Sequence, residues 1–392
     1  MNAGSPQKFL RLYLGMTIGS LLAIALFNFI VDPLWVYHSP WLRQAYAKDA
    51  RQANAGQARF GRYDSVVIGN SHTENFLVSE IQSQLGWHPL KLCISGSTAR
   101  EQHLVLDQAL ATGQVRDVLW SIDFSVFERG PDATRTSDFP HHLYNRDAAT
   151  PFKYLLSGST LGTSFEVLFG GGSRDQESRF VWHHLRKYGP GSVAKALPDA
   201  IAGLNSRPTD NRQAYIAAQS HLLDVIRSHP EVRFHIVLPP FPALWRAIQM
   251  GCEGNHFESQ IQFKQDLSHA LIALPNAELF DFELATSVTH DLNRYTDLGH
   301  FDLRTSNQLL AWIAEGRFRV QPHEIEENAR ILVAETRDYV GTVLSSDNSN
   351  LASVPIKSAM AKMPTLAQFS PSTANPPARM ADSNTDPASA WR

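Results

Sequence analysis

The sequence predicts an α/β protein, a parallel β-sheet with helices on both faces, preceded by one N-terminal transmembrane helix. β-branched segments alternate with segments of helical periodicity between residues 63 and 340, and this alternation is typical of parallel sheets. A run of twenty residues near the N-terminus carries no charge. With 392 residues, of which 43% are hydrophobic and 19% charged, the chain is long enough for one large α/β domain.

The uncharged run spans residues 12–31 and reads LYLGMTIGSLLAIALFNFIV. At about 1.5 Å per residue, a helix of this length spans ~30 Å, the thickness of a bilayer's hydrocarbon core. The length of the run disfavours a buried core helix, and the lack of a small-residue cleavage pattern disfavours a cleaved signal peptide. We therefore predict an uncleaved signal-anchor, with Trp35, Tyr37 and Trp41 at the membrane interface.

The charges around this segment predict its orientation. Lys8 and Arg11 precede it and favour a cytoplasmic N-terminus, so residues 1–11 are predicted to be a short cytoplasmic tail. Basic residues at positions 43, 48 and 51 weaken this bias from the other side. The expected location is a single pass through the inner or plasma membrane, with the globular domain outside the cytoplasm.

The composition excludes several partners and cofactors. A net charge of −3 provides no basic surface, so nucleic acid is not an expected partner. Cys93 and Cys252 lack metal-ligand spacing, and they are compatible with either a disulfide or two buried thiols. Because no His, Asp and Glu residues cluster at ligand spacing, we expect neither a metal ion nor another cofactor.

The order of the predicted elements divides the chain. Strands are predicted at 63–69, 90–95, 117–124, 232–240 and 277–282, and helices at 73–85, 100–113, 213–229, 303–316 and 321–340. Residues 32–62 are predicted to be a juxtamembrane linker and 125–212 an insertion or partly helical lid within the domain of residues 63–340. Residues 341–392, rich in Ser, Ala, Pro and Asn, are predicted to be a disordered tail.

The segment VVIGNSHTEN contains the candidate nucleophile, Ser71, directly after a predicted strand and before a predicted helix. Ligands bind beyond the carboxyl ends of parallel strands, and free N–H groups at a helix start can stabilise an oxyanion. A structural alternative is a helix-capping box formed by Ser71 and Glu74.

The segment RYTDLGHFDLRTSN contains the candidate base and its partner, His300 and Asp297. A serine hydroxyl needs a general base, and an imidazole needs a carboxylate to hold its tautomer. The alternative is that Asp297 or Asp302 only caps the following helix. A second pair, His290 and Asp291, is a weaker candidate because it lies farther from that helix.

Together these two segments resemble the SGNH (GDSL-type) hydrolase superfamily over roughly residues 63–316. Gly69, Asn70 and Ser71 stand at the positions of the family's Gly, Asp and Ser, and YTDLGH supplies the family's terminal Asp and His. The resemblance implies a three-layer, flavodoxin-like parallel sheet. It also implies an oxyanion or substrate site that involves Gly96, in ISGSTARE, and Asn70.

The block after the third strand departs from the family. The family places there an asparagine whose side chain completes the oxyanion hole, whereas WSIDFSVF offers Asp123 and Ser125. An ionised aspartate cannot donate a hydrogen bond. The expected third donor is therefore missing or comes from elsewhere in the chain.

The membrane-anchored layout and the segment FNFIVDP are similar to a subset of this superfamily that acts on cell-envelope polymers, such as the D-alanyl transfer protein of teichoic acid synthesis. The resemblance implies a serine esterase or acyltransferase acting on acyl groups, often acetyl, of a secreted polysaccharide or envelope glycan. The alternative is an inactive scaffold or glycan-binding module that docks envelope-assembly proteins.

Two further residues each have a functional and a structural interpretation. His72 follows the candidate nucleophile and could touch substrate, but a solvent-facing helix position is the simpler interpretation. Trp245 follows the fourth strand, where it could stack on a sugar or simply pack in the core.

Overall fold

The computed structural model describes residues 6–42, 46–47, 49–145, 150–170, 175, 186–205, 211–252, 254–345, 354–363 and 366. Its strands are β1 (Ser65–Ile68), β2 (Pro89–Lys91), β3 (Asp117–Ser121), β4 (Arg233–Leu238) and β5 (Ala277–Asp281). They form one sheet in the order β2-β1-β3-β4-β5, and every pairing is parallel. The predicted α/β class and the five predicted strands are confirmed, although each strand is shorter than predicted.

The helices lie between and around these strands. They are α1 (Pro6–Val31), α2 (Ala50–Phe60), α3 (Val78–Leu85), α4 (Ala99–Leu110), α5 (Phe124–Phe127), α6 (His141–Tyr144), α7 (Thr150–Leu155), α8 (Gly158–Phe169), α9 (Pro190–Asn205), α10 (Arg212–Ala218), α11 (Asp224–Ser228), α12 (Ala243–Gly251), α13 (His256–Ile272), α14 (Thr286–Thr289), α15 (Leu303–Ala314), α16 (Ile325–Ser345) and α17 (Val354–Ala361). A π-helical segment, Gln219–Leu223, joins α10 to α11.

Both faces of the sheet are buried. Because side chains alternate along a strand, Val66, Val118 and Phe234 face one apolar core, and Val67 and Leu119 face another. All five side chains have 0% exposure. Continuous apolar strands of this kind require helices on both faces of a parallel sheet.

Residues 32–62, predicted as a linker, instead belong to the domain. Ala53, Ala55 and Ala58 of α2 are buried in the core that contains Val66. The Asn54 amide donates to the carbonyl of Leu92 at 3.0 Å. The small residues of α2 let its backbone approach the sheet closely. The mixed polar composition of residues 32–62 gave no sign of this packing.

The chain after residue 340 also differs from the prediction. Helix α16 continues to Ser345, and Ile356 and Met360 of α17 are buried, each with 0% exposure. The two side chains are four residues apart on one helical face, so they enter the apolar core together. The prediction of disorder is wrong for these residues, and the rest of 341–392, apart from 362–363 and 366, lies outside the described residues.

Helix α1 has 26 residues, and a window of 18 residues within it has a mean hydropathy of 2.1, so the helix is long and apolar enough to cross a membrane. Its C-terminal end packs on α7 and α8, which belong to the predicted insertion at 125–212. The Asn28 amide donates to the Leu155 carbonyl at 2.9 Å and accepts from the Ser164 hydroxyl at 3.0 Å. The described part of the insertion is mostly helical, and α9 within it borders the site described below.

Candidate active site

The candidate nucleophile lies at the carboxyl end of β1, where the chain turns sharply. Gly69 has φ of +154°, and a Cβ there would lie 2.8 Å from the Thr73 side chain and 2.9 Å from the Ser121 carbonyl oxygen. Only glycine fits this turn without strain. A short 3-10 helix, Ser71–Thr73, follows directly, so Ser71 lies at the edge of the sheet where parallel strands end.

The capping-box alternative for Ser71 does not form. The residue that caps the 3-10 helix is Asn70, whose side-chain oxygen accepts from the main-chain N–H of His72 at 3.0 Å. Helix α3 begins only at Val78, later than predicted, because the intervening turn buries Phe76. The Ser71 hydroxyl is therefore available for another partner.

That partner is the predicted base. The Ser71 hydroxyl lies 2.7 Å from Nε2 of His300, and the two residues are 229 positions apart in the sequence. On the other side of the ring, Nδ1 of His300 lies 2.8 Å from Oδ2 and 2.9 Å from Oδ1 of Asp297. The fold thus assembles all three predicted side chains into one hydrogen-bonded chain, with the geometry that a serine nucleophile requires.

The loop that carries the base is held by its own hydrogen bonds. Oδ1 of Asp297 accepts the main-chain N–H groups of Gly299 and His300, each at 2.9 Å. Helix α15 is capped by Asp302, which accepts from the N–H of Thr305 at 2.8 Å. Asp297 therefore orients the loop and the imidazole, and the alternative that it caps the helix does not apply.

The ionised form of the Asp297 side chain is strongly favoured over the neutral form. Burial alone would raise the pKa of this carboxyl, but the hydrogen bonds from the His300 ring and from two main-chain N–H groups outweigh burial and lower the pKa to about 2. An ionised Asp297 accepts from Nδ1–H of His300. Nε2 then remains unprotonated and can accept the hydroxyl proton of Ser71.

The rival pair, His290 and Asp291, has structural contacts. Asp291 accepts from the N–H of Asn293 at 3.1 Å and lies 3.4 Å from the Arg294 guanidinium. The His290 ring packs edge-on against Tyr339. Neither residue borders the cavity beside His300.

Gly96 lies beside the nucleophile turn. After β2 the chain continues along β1, and the N–H of Ile94 donates to the Gly69 carbonyl at 3.0 Å. Gly96 follows with φ of +61°, which favours glycine. Over the described chain, the main-chain N–H groups of Ser71 and Gly96 donate to no other protein group. Both are thus available to an oxyanion.

The structure gives Asn70 a different role from the predicted one. Its amide donates to Oδ2 of Asp123 at 2.6 Å, in addition to the cap described above. The other oxygen of Asp123 accepts from the main-chain N–H of Ser125 at 2.8 Å and from the Ser125 hydroxyl. Asn70 therefore ties the end of β1 to the end of β3, and Asp123 acts as an acceptor of hydrogen bonds.

His72 does not take the solvent-facing position that was the simpler interpretation of the sequence. Instead of facing solvent it is buried, with 7% exposure, and its ring centroid lies 5.1 Å from that of His300. Its Nδ1 lies 3.6 Å from Oδ2 of Asp123. Burial, and then the charge of His300, lower the pKa of His72 to about 4, so this ring is neutral at neutral pH. The short 3-10 helix, which turns residue 72 inward, had no clear sequence signal.

A cavity of ≈430 Å³ opens beside these residues. His72, Asp297 and His300 form part of its wall, together with Phe241 and Trp245. Trp245 therefore borders a ligand-sized space, and its two predicted roles remain open. Pockets of this volume are typical of small-molecule sites.

Neither cysteine lines the cavity. Cys93 and Cys252 are both free and buried, so the disulfide alternative is not formed. Burial raises the pKa of the Cys93 thiol to about 11, which makes it a poor nucleophile. Within the described ranges, no group of three His, Cys, Asp or Glu side chains is arranged to hold a metal ion.

Comparisons with known proteins add little. No family model matches the chain, and no curated protein matches it. One solved structure similar to this chain is described as "The structure of a putative platelet activating factor from Streptococcus pneumonia". The similarity covers 68% of this chain and 89% of that chain, with 13% sequence identity and a TM-score of 0.34. We draw no conclusion about fold or function from a similarity of this extent.

Proposed function

We propose that this protein is a membrane-anchored serine esterase or acyltransferase of the SGNH (GDSL) type. The observation that carries the proposal is the contact between Ser71, His300 and Asp297, with 2.7 Å from hydroxyl to imidazole and 2.8 Å from imidazole to carboxylate. Hydrogen bonds of this length, in this order, are what nucleophilic catalysis by serine requires.

The sheet topology supports the same family. The strand order 2-1-3-4-5 matches that of doubly wound, flavodoxin-like sheets, and we propose the three-layer arrangement of that class. The nucleophile follows β1, at the point where the strand order reverses. In open parallel sheets, ligand sites lie at this position, beyond the carboxyl ends of the strands.

In the proposed reaction, Oγ of Ser71 attacks the acyl carbonyl carbon while Nε2 of His300 accepts its proton. Asp297 holds the tautomer and stabilises the imidazolium. The protonated His300 then donates its proton to the leaving alkoxide, and an acyl-serine remains. Water completes an esterase cycle, whereas a sugar hydroxyl completes a transferase cycle, each activated by His300.

The developing oxyanion is stabilised by main-chain donors. The N–H groups of Ser71 and Gly96 are available for it, and Asp123 supplies no third donor. One donor of this kind is worth roughly 10²–10³ in kcat. We therefore propose a two-donor oxyanion hole in this chain.

We also propose that α1 anchors the protein in the inner or plasma membrane, with the domain outside the cytoplasm. Exposed aromatic side chains next to the end of α1 support this placement: Phe165 and Phe169 of α8 are 49% and 80% exposed, and Phe165 contacts Phe27. Apolar rings at this position suit a membrane interface. An acylated secreted polysaccharide or envelope glycan is the proposed substrate, and envelope-assembly proteins are proposed partners.

Labelling with a fluorophosphonate probe tests the nucleophile. Wild type is expected to be labelled and Ser71→Ala is not, because the probe reacts only with an activated hydroxyl. Ser83→Ala, an exposed serine on α3, is the matched control and should be labelled like wild type. Equal labelling of wild type and Ser71→Ala would contradict the proposal.

One observation favours a second candidate, a non-catalytic glycan-binding or scaffold module. Asp123 stands where the family has its asparagine donor, and it accepts hydrogen bonds from Asn70 and Ser125. If this candidate holds, binding of an envelope polysaccharide persists in Ser71→Ala, and no acyl ester is turned over by wild type. Ester turnover that depends on Ser71 would exclude it.

A further inference from the structure

The cavity beside the candidate active site extends far beyond the space that an acetyl group needs. One wall is a single face of α13, on which Phe257, Ile261, Lys264, Ser268 and Leu271 recur at spacings of four and three residues. From residue 257 to residue 271 this face is ~21 Å long at about 1.5 Å per residue. The cavity is therefore elongated along α13.

The opposite wall comes from the sheet and from α5. It includes Leu238 of β4, Leu279 of β5 and Phe127 of α5, with exposures of 9%, 2% and 1%. Leu267 of α13, 7% exposed, also lines the cavity. These four side chains are apolar and poorly reached by solvent, and such a surface gains free energy when hydrocarbon replaces water.

The charged group in the α13 wall is already neutralised. The Lys264 ammonium lies 2.7 Å from Oδ2 of Asp281 and 2.6 Å from Oε2 of Glu283. Burial works against the charge of this lysine, but its two carboxylate partners outweigh burial and raise its pKa. The ammonium is therefore engaged within the protein, and it creates no demand for an anionic ligand.

The volume sets the size of the ligand. An apolar cavity of about 150 Å³ accepts a six-carbon ring, so a cavity of ≈430 Å³ accommodates a chain of roughly ten or more carbons. His300 and Asp297 border the same cavity, and the Ser71 hydroxyl lies 2.7 Å from His300. An alkyl chain that occupies the cavity therefore places the ester group attached to it within reach of the nucleophile.

We infer that this cavity binds the hydrocarbon chain of the ester substrate, a linear alkyl chain of roughly eight to twelve carbons. The inference rests on the proposed serine-ester chemistry and replaces an acetyl group by a longer apolar chain. This alkyl chain belongs either to the acyl part or to the alcohol part of the ester. In both cases the ligand is a flexible alkyl group next to a carboxylic ester.

Two ester series separate these sources. The first varies the acyl chain of p-nitrophenyl esters from two to twelve carbons; the second varies the alkyl chain of acetate esters over the same range. Each buried methylene is expected to raise kcat/KM by up to about fourfold. A rise of at least 100-fold from two to ten carbons in the first series identifies the acyl chain, and the same rise in the second identifies the alcohol.

Variants that narrow the cavity link this preference to the cavity itself. In full-length protein in nanodiscs, Leu267→Trp and Ala196→Trp, both at lining positions, should move the preference to shorter chains. Lys195→Trp, an exposed neighbour outside the lining, is the matched control and should keep the wild-type preference. Two independent positions keep the test informative if one variant fails to fold.

A photoreactive decyl diazirine tests binding without turnover. In Ser71→Ala it should cross-link to the α13 peptide, and Leu267→Trp should abolish this labelling. Highest activity on acetyl esters in both series, together with no labelling of α13, overturns the inference and leaves the proposed function standing. Absence of turnover for every ester, with α13 still labelled, overturns the proposed function and leaves the alkyl-binding cavity standing.

Discussion

Replacing Asp297 by asparagine separates the electrostatic role of this side chain from its structural role. An asparagine oxygen can still accept the main-chain N–H groups of Gly299 and His300, which Oδ1 of Asp297 now accepts at 2.9 Å. The loop should therefore keep its shape. The amide NH₂ cannot accept from Nδ1–H of His300, so the ring is expected to adopt the tautomer that carries its proton on Nε2.

The magnitude follows from two contributions. The pKa of Asp297 is lowered from 3.8 to about 2, and at about 1.36 kcal/mol per pKa unit this corresponds to ~2.5 kcal/mol in favour of the ionised carboxylate. The wrong tautomer adds to this, because Nε2–H cannot accept the Ser71 proton. A total loss of about 10⁴ in kcat is expected, as for other triads.

The assay is kcat and kcat/KM on an activated ester, with circular dichroism to check folding. Asp291→Asn is the matched control, since this neighbouring aspartate accepts from Asn293 and does not contact His300. It should lower kcat by less than threefold. If Asp297→Asn retains more than a tenth of the wild-type kcat, or if Asp291→Asn loses as much, the assigned role of Asp297 is wrong.

Three further outcomes are expected. Because the pKa of buried His72 is lowered from 6.5 to about 4, the unfolded state binds more protons between these pH values. The free energy of unfolding should therefore fall by up to about 3 kcal/mol as pH drops through this window. In His72→Gln, the free energy of unfolding measured by chemical denaturation should depend less steeply on pH. Glu101, with 0% exposure, accepts from the Arg51 guanidinium at 3.0 and 3.1 Å, so Glu101→Ala should destabilise the fold by about 3 kcal/mol in thermal or urea unfolding, whereas exposed Glu315→Ala should change it by less than about 0.5. Esterase activity should be unchanged after dialysis against EDTA, and a loss that zinc restores would contradict the expected metal independence.

Local chemistry explains what the sequence predicted well. Each predicted strand contains a short apolar run, such as SVVI in β1, and such runs suit the buried strands of a parallel sheet. The uncharged run at 12–31 is likewise a local property, and α1 extends it to Pro6–Val31. Ser71, Asp297 and His300 were candidates because each stands at a strand end or helix start, where side chains meet at one edge of the sheet.

Other features depend on contacts between distant segments. Helix α2 has a polar composition, yet Ala53 and Ala58 are buried because the sheet offers a close-fitting surface for small residues. His72 turns inward because Asn70 caps a 3-10 helix and binds Asp123, 53 residues away. Such couplings leave no periodic pattern along the chain.

The sequence by itself determined the class of fold, the apolar N-terminal helix and the residue types of the candidate site, since all three follow from short-range patterns of side chains. The tertiary structure decided that the Ser71 hydroxyl meets His300 across 229 positions, that Asn70 holds Asp123, and that a cavity of ≈430 Å³ lies along α13. A distance between remote side chains, or an empty volume between packed elements, is set by the sum of many packing contacts, and no single stretch of sequence encodes it.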